Sequence, residues 1–308
     1  MQITKIEEHI HLIDLKPNGI ENFVASYVLL GENAAIVESG PALTAQKLLL
    51  SLKKLGVKPE DVTYVAVSHI HLDHGGGVGI LLKHLPKASL IVHQRGGIHT
   101  ANPQSLWTAS KKALGRLAQM YGKPEPVAQE RIIVGTDGMV LDIGNNVKLR
   151  VVETLGHASH HLTYYETLSQ GIFTGDAAGI YLNKHNVVVP TSPAPFHLDI
   201  ALASLRKLIN LKSKFLYYSH FGKAENSVEK LQAYGEQLKL WAKIAARGIE
   251  KGENLEAIRK KIIETDSALQ KTGEFIRSHP ILNKTVLLQS IEGIVRYVEK
   301  TGYSDHLA

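Results

Sequence analysis

The chain has 308 residues, 44% of them hydrophobic and 21% charged, and it contains no cysteine. That balance describes a globular protein with a large core, and it rules out disulfides, thiolate metal ligands and a cysteine nucleophile. The formal charge of +6 comes from 35 Lys plus Arg against 29 Asp plus Glu, but the bases are dispersed, so nucleic acid ranks low among partners. In chain order, residues 3–15 alternate as a strand or hairpin arm and stop at the turn Lys16-Pro17-Asn18-Gly19. His9 and His11 fall here and read as strand-face residues. Residues 23–30 and 34–37 read as two strands joined across Gly31-Glu32-Asn33. Glu38-Ser39-Gly40-Pro41 then opens a helix over 43–55, with Leu48, Leu49, Leu52 and Leu55 on one face. The N-terminus lacks the basic start and apolar core of a signal peptide, and apolar runs such as 24–30 are too short to cross a bilayer. A soluble, cytoplasmic protein is the expectation.

Residues 62–67 read as a buried strand, and Ser68-His69-Ile70-His71-Leu72-Asp73-His74-Gly75-Gly76-Gly77 follows it at once. His69 and His71 are two apart, so an extended backbone projects both imidazoles to one side. Asp73 and His74 come next, where the chain must turn. Three imidazoles and a carboxylate this close supply nitrogen and oxygen ligands suited to divalent metals. A helix over 76–85 should follow, its N-terminus directed at the metals and favouring negative charge there.

Residues 89–92 form the next strand. The less regular stretch 95–131, with a helix expected over 110–121, reads as an insertion over the rim of the site. Its Trp107, Leu114, Leu117, Met120 and Tyr121 either line a substrate pocket or pack the insertion or a subunit contact. Strands resume at 131–134, 139–141 and 147–155. Each of three further candidate ligands ends or follows such an apolar run: His157 after Leu155-Gly156, Asp176 after Phe173-Thr174-Gly175, and His220 after residues 215–219. A helix over 199–209 precedes the last of these strands. From Asn226 onward the periodicity is helical, with Val228, Leu231, Leu238, Trp241 and Ala245 on one stripe and Leu255, Ile258, Ile262 and Leu269 on another. Val286, Leu288, Ile291, Val295 and Val298 make a third.

The ordered set HxHxDH, GH, GD and SH resembles the metallo-β-lactamase-fold hydrolases, over residues 68–220 for the motifs and the first two thirds of the chain with their flanking strands. The resemblance implies an α/β fold, a four-layer αββα sandwich with metals at one rim of its two sheets, and a C-terminal helical extension like that of glyoxalase II. It implies a catalytic domain over 1–225 and a helical cap over 226–308. By position, His69, His71 and His157 match the ligands of a first metal, and Asp73, His74 and His220 those of a second. Asp176 matches the carboxylate that bridges them. All seven positions are filled, which favours two divalent ions. Zinc comes first for a nitrogen-dominated set, while iron and manganese also suit it.

The activity so implied is hydrolysis of an ester, thioester or lactone in a small-molecule substrate by a hydroxide shared between the metals. Asp73 and Tyr181 are the candidate catalytic residues, Tyr181 by analogy with lactone hydrolases, where a tyrosine polarises the carbonyl oxygen. The pattern also resembles persulfide dioxygenases, which use one iron at the positions of His69, His157 and Asp176, and more distantly metal-dependent nucleases. A second copy of the chain is a further candidate partner. Two departures stand out: many relatives have Asp-Thr-Gly where Glu38-Ser39-Gly40 stands, and proline where Leu155 stands. His161 matches a position usually histidine in relatives and is a candidate to support the ligands. His160 beside it should point elsewhere, and His185 and His197 fit no ligand position.

Overall fold

The computed structural model describes residues 2–303. Its first sheet runs in the order β1 (Gln2–Glu7), β2 (Ile10–Asp14), β3 (Ala25–Leu30), β4 (Ala34–Val37), β5 (Val62–Ala66), β6 (Ser89–His93) and β7 (Ile132–Gly135). The first four strands pair antiparallel and the rest parallel. Parallel neighbours need crossovers, and helices supply them: α1 (Ala45–Lys54) before β5, α2 (Leu72–Gly75) and α3 (Val78–His84) before β6, and α4 (Gln94–Ala101), α5 (Gln104–Leu114) and α6 (Arg116–Tyr121) before β7.

The second sheet has the order β15-β14-β11-β10-β9-β8, built from β8 (Val140–Asp142), β9 (Lys148–Glu153), β10 (Leu162–Glu166), β11 (Gly171–Gly175), β14 (Phe215–Tyr218) and β15 (Gly222–Ala224). Only β11 and β14 are parallel in it. The two sheets share one apolar core, in which Ile10, Leu12, Tyr27, Leu29, Val37 and Ile91 of the first meet Leu149, Val151, Leu162, Tyr164, Phe173 and Tyr217 of the second. Alternation along each strand places these residues on inner faces, which makes a sandwich.

Contacts divide the chain into two compact units. The first comprises Met1–Glu153, His160–Gly175 and Lys214–Glu225, and holds both sheets. The second comprises Thr154–Ser159, Asp176–Ser213 and Asn226–Ala308. It contains the hairpin β12 (Ile180–Leu182) and β13 (Val187–Val189), then α7 (Leu198–Asn210), α8 (Ser227–Glu250), α9 (Leu255–Thr265), α10 (Ser267–Ser278) and α11 (Leu288–Thr301). The C-terminal helices therefore cluster with two short earlier segments of the chain. Among the described residues, no helix is long and apolar enough to cross a membrane.

Several elements differ from the sequence expectation for local reasons. The helix expected over 76–85 begins earlier, at Leu72, and breaks at Gly76-Gly77 before α3. Asp73 and His74 consequently stand on a first helical turn. The helix expected over 110–121 is two helices, broken at Gly115. Leu106, Trp107, Leu114 and Leu117 pack around the buried trio Leu72, Ala118 and Tyr121, so the insertion braces the motif turn from one side. His9 lies in the turn between β1 and β2 and pairs with the buried Glu166 at 3.1 Å.

Candidate metal centre

In the first unit, His69 to His74 lie just past β5 and His220 just past β14. His69 Nε2 and His71 Nδ1 are 2.9 Å apart, as the two-residue spacing on an extended backbone requires. Asp73, His74 and His220 bring one ligand atom each to within 4.8 Å of one another. His74 Nε2 is 3.2 Å from His220 Nε2, and Asp73 Oδ2 is 3.6 Å from the latter.

The tautomers of this trio follow from what holds each ring. His220 Nδ1 lies 2.5 Å from the carbonyl oxygen of Phe23. A carbonyl only accepts, so Nδ1 carries the hydrogen and Nε2 presents its lone pair. His74 Nδ1 lies 3.1 Å from Glu38 Oε1, and a carboxylate likewise fixes the hydrogen on Nδ1. Two imidazole lone pairs and a carboxylate thus converge on one small, largely buried volume. A cation is what this donor set fits, and the carboxylate–histidine arrangement behind it is the usual way to orient a metal-binding imidazole.

Glu38 is the residue whose part in this site the sequence left open. It is 1% exposed and sits at φ 68°, a left-handed conformation that costs a non-glycine residue on the order of 1–3 kcal/mol and persists only where surroundings enforce it. The surroundings do so. Its amide donates to Ala66 O at 2.9 Å, and its carbonyl accepts from Ser26 Oγ at 2.7 Å. Its carboxylate accepts from His74 Nδ1, from Ser219 Oγ at 2.9 Å and from the Ser68 amide at 3.2 Å. Burial pushes the Glu38 carboxyl up, but the His74 imidazole and the Ser68 and Ser219 donors outweigh it and hold the group below its ordinary range. One buried carboxylate therefore ties the helical turn carrying His74 and the strand end carrying His220 into a single piece.

His160 and His161 also lie beside this cluster. The His161 ring is fully buried, 5.0 Å from that of His69. The His160 ring is 5.9 Å from His71 and 6.2 Å from His69, so it does not point elsewhere. Residues 159–160 form a turn, and strand alternation does not govern side-chain direction there.

In the second unit, His157 Nε2 is 3.3 Å from Asp176 Oδ2. His157 Nδ1 donates to Thr191 O at 3.0 Å, which again leaves the lone pair on Nε2, facing the carboxylate. Tyr181 is mostly buried, and its hydroxyl donates to Asn186 Oδ1 at 3.0 Å. The Lys230 ammonium lies 5.2 Å from the Tyr181 ring centroid and donates to the same Asn186 oxygen. His185 and His197 stand against Phe275 and Tyr297 respectively.

Known proteins resemble this chain in sequence and in fold. A metallo-beta-lactamase fold-containing protein of Sulfurisphaera tokodaii is 28% identical over 217 residues, covering 69% of this chain and 78% of that protein. An N-acyl homoserine lactonase of Bacillus thuringiensis is 26% identical over 201 residues, covering 63% and 70%. Among solved structures, an archaeal metallo-beta-lactamase superfamily protein from Sulfolobus tokodaii aligns with TM-score 0.65 at 27% identity, covering 75% of this chain and 86% of that one. A metallo-beta-lactamase family protein from Thermus thermophilus aligns with TM-score 0.66 over 91% and 89%, and at 20% identity it speaks for the fold alone. The α/β architecture with C-terminal helices read from the sequence is thus the observed one, and with residues 19–220 matching the family model, the chain belongs to the metallo-beta-lactamase superfamily.

Proposed function

We propose that the protein is a metal-dependent hydrolase acting on an ester, thioester or lactone bond of a small molecule. Its ligands are read as His69, His71 and His157 for one metal, Asp73, His74 and His220 for the other, and Asp176 between them. The observation that carries this reading is the pair of imidazole nitrogens 3.2 Å apart, both lone pairs inward, with Asp73 beside them. The lactonase relative supports the bond type. Zinc is the first metal to test, for the imidazole-rich ligand set, and the cytoplasm is the compartment we assign.

Divalent ions held there would polarise a carbonyl and bring the pKa of a bound water towards neutrality. The chain's own residues do the rest. Glu38 and the Phe23 and Thr191 carbonyls fix which nitrogen of His74, His220 and His157 faces inward, so none of these three rings has to rotate before binding. Asp73 has the most solvent-accessible side chain of its trio; there it can accept a proton from water and hold that water towards a substrate carbonyl. Tyr181 is assigned as hydrogen-bond donor to the substrate, exchanging its bond to Asn186 for one to the carbonyl oxygen.

The test is elemental analysis of purified protein followed by a panel of lactones, thioesters, phosphodiesters and β-lactams, each with zinc, manganese and iron. Metal-dependent turnover of a lactone or thioester, abolished by chelation and restored by metal, is expected. Turnover unaffected by chelation, or oxygen uptake on a glutathione persulfide in place of hydrolysis, would overturn it.

A further inference from the structure

The loop of residues 15–24, which joins β2 to β3, carries the group that orients His220. The Phe23 carbonyl oxygen accepts from His220 Nδ1 at 2.5 Å, and the buried Phe23 ring lies against the imidazole, centroids 5.1 Å apart. A carbonyl fixes an imidazole only if its own peptide plane is fixed. The direction of this oxygen therefore depends on what holds the chain on either side of Phe23.

Both sides are held at the base of the loop. After Phe23, the Val24 carbonyl oxygen accepts from the Leu15 amide at 3.0 Å. Before it, the Asn22 amide donates to Asp14 Oδ2 at 3.0 Å, while Asp14 Oδ1 accepts from the Lys16 amide at 3.1 Å. One fully buried carboxylate, on the last residue of β2, thus joins the two ends of the loop. The peptide that gives it the Lys16 amide is gripped at its other end too, where Leu15 O accepts from Lys47 Nζ of α1 at 2.5 Å. Lys16 and Asn22 have positive φ, 45° and 54°, conformations that persist only where the surroundings enforce them. Strand pairing does not need this carboxylate. The Ala25 amide donates to Ser219 O at 2.8 Å and the Tyr27 hydroxyl to Tyr218 O at 2.6 Å, which joins β3 to the end of β14 outside the loop. An aspartate that closes a turn on its own backbone is common. This one closes it on the residue whose carbonyl orients a candidate ligand.

We propose that Asp14 is a positioning residue for His220, its carboxylate fixing the loop whose Phe23 carbonyl sets the direction and tautomer of that imidazole. The proposal rests on the reading of His220 as a metal ligand. Glu38 secures His74 in the Asp73–His74–His220 trio, and Asp14 secures His220.

The experiment uses the full chain with Asp14→Asn, which keeps the shape of the side chain. Asparagine accepts from one of the two amides and turns its own NH2 towards the other, donor against donor. Lys47→Met, which frees Leu15 O, is a milder change at the same peptide. Asn18→Gly is the control: it removes only the bond from the loop tip to Met120 O, at 3.0 Å, and glycine adopts the φ of 51° there freely. Cobalt(II) and zinc binding are measured by chelator competition, the cobalt absorption spectrum is recorded, and metal-free unfolding is followed alongside. Loss of the partner behind a ligand typically weakens metal binding about 10–100-fold. The Phe23 carbonyl itself remains, and His220 is read as a ligand of one metal only. Asp14→Asn is therefore expected to weaken one of two metal equivalents about 10-fold and shift the cobalt bands, with the other equivalent unchanged. Lys47→Met should shift the same equivalent by less, and Asn18→Gly should match the wild type. A wild-type protein binding two metals, with Asp14→Asn matching it in both affinities and spectrum, overturns the positioning role even if the variant unfolds more easily. An equal effect of Asn18→Gly overturns it too, because any loosening of the loop would then suffice. If Asp14→Asn does not fold, wild-type affinities and spectrum in Lys47→Met overturn it instead. A wild-type protein binding no metal overturns the metal-centre reading itself, and this proposal with it.

Discussion

Glu38→Gln tests the first unit's site most directly, because it preserves shape and removes charge. The carboxylate accepts on Oε1 from His74 and Ser219, and on Oε2 from the Ser68 amide. Glutamine can keep the Oε1 contacts, but its amide nitrogen then meets the Ser68 N–H, donor against donor. The contacts it keeps also fall from charge-assisted to neutral strength. A hydrogen bond to a charged group is worth about 1.5–3 kcal/mol and an orphaned buried donor costs about 1–3. Part of this is offset, since a neutral group is cheaper to bury than a carboxylate. The net expectation is a loss of about 2–4 kcal/mol in the metal-free protein. The assay is denaturant unfolding with an unchanged m-value, so that the midpoint reports stability alone. Metal affinity should fall about 10–100-fold, because the carboxylate that raises the basicity of His74 is replaced by a neutral acceptor. A stability change within about 0.5 kcal/mol, the range of an indifferent surface substitution, together with unchanged metal affinity would show that the Glu38 charge supports neither the fold nor the site.

Two further predictions concern the same charges. Asp176→Ala should release at least one metal equivalent and abolish hydrolysis, whereas Asp73→Ala should weaken one site and leave the other occupied; two metals retained in Asp176→Ala, by elemental analysis, would dismiss the bridging role. The Glu38 carboxyl is held below its ordinary 4.5, so its contribution to stability is full above that value and is lost as pH falls through the depressed one. Metal-free wild type should therefore lose stability on acidification more steeply than Glu38→Gln below about pH 4.5, as read from unfolding midpoints across that range. Parallel curves would exclude Glu38 as the titrating group.

The candidate ligands are legible in the sequence because each stands where an apolar run stops, and strand ends are where a sheet hands side chains to a rim. The spacing of His69 and His71 even carries their mutual direction. What supports those residues is not legible. Nothing in Glu38-Ser39-Gly40 announces that a glutamate will take a left-handed conformation and reach residues 30 and 181 positions away; only the folded strand ends put Ser68 and Ser219 beside it. Strand periodicity misleads at His160 because that residue stands in a turn. The motif helix starts earlier than its glycines suggest, since Gly76-Gly77 is a break between two helices and not a beginning.

Two glycine positions separate backbone strain from crowding at the site. Gly138 and Gly175 both have positive φ, 84° and 50°, so alanine at either is strained by about 1–2 kcal/mol from conformation alone. They differ in surroundings. A Cβ at Gly138 would meet nothing within 4 Å, whereas one at Gly175 would fall 2.5 Å from Ser68 Cβ and 2.6 Å from His161 Nε2. Neither neighbour can yield cheaply: Ser68 Oγ sits 2.9 Å from His69 Nδ1, its amide serves Glu38, and His161 is fully buried. Overpacking of this kind adds about 1–3 kcal/mol. Gly138→Ala should therefore lose about 1–2 kcal/mol and bind metal normally, while Gly175→Ala should lose about 2–5 kcal/mol and bind metal more weakly. Unfolding of the metal-free variants and chelator competition on the loaded ones supply the two readings. Equal stability losses with equal metal affinity would mean that the packing of Ser68 and His161 against Gly175 has no bearing on the ligands.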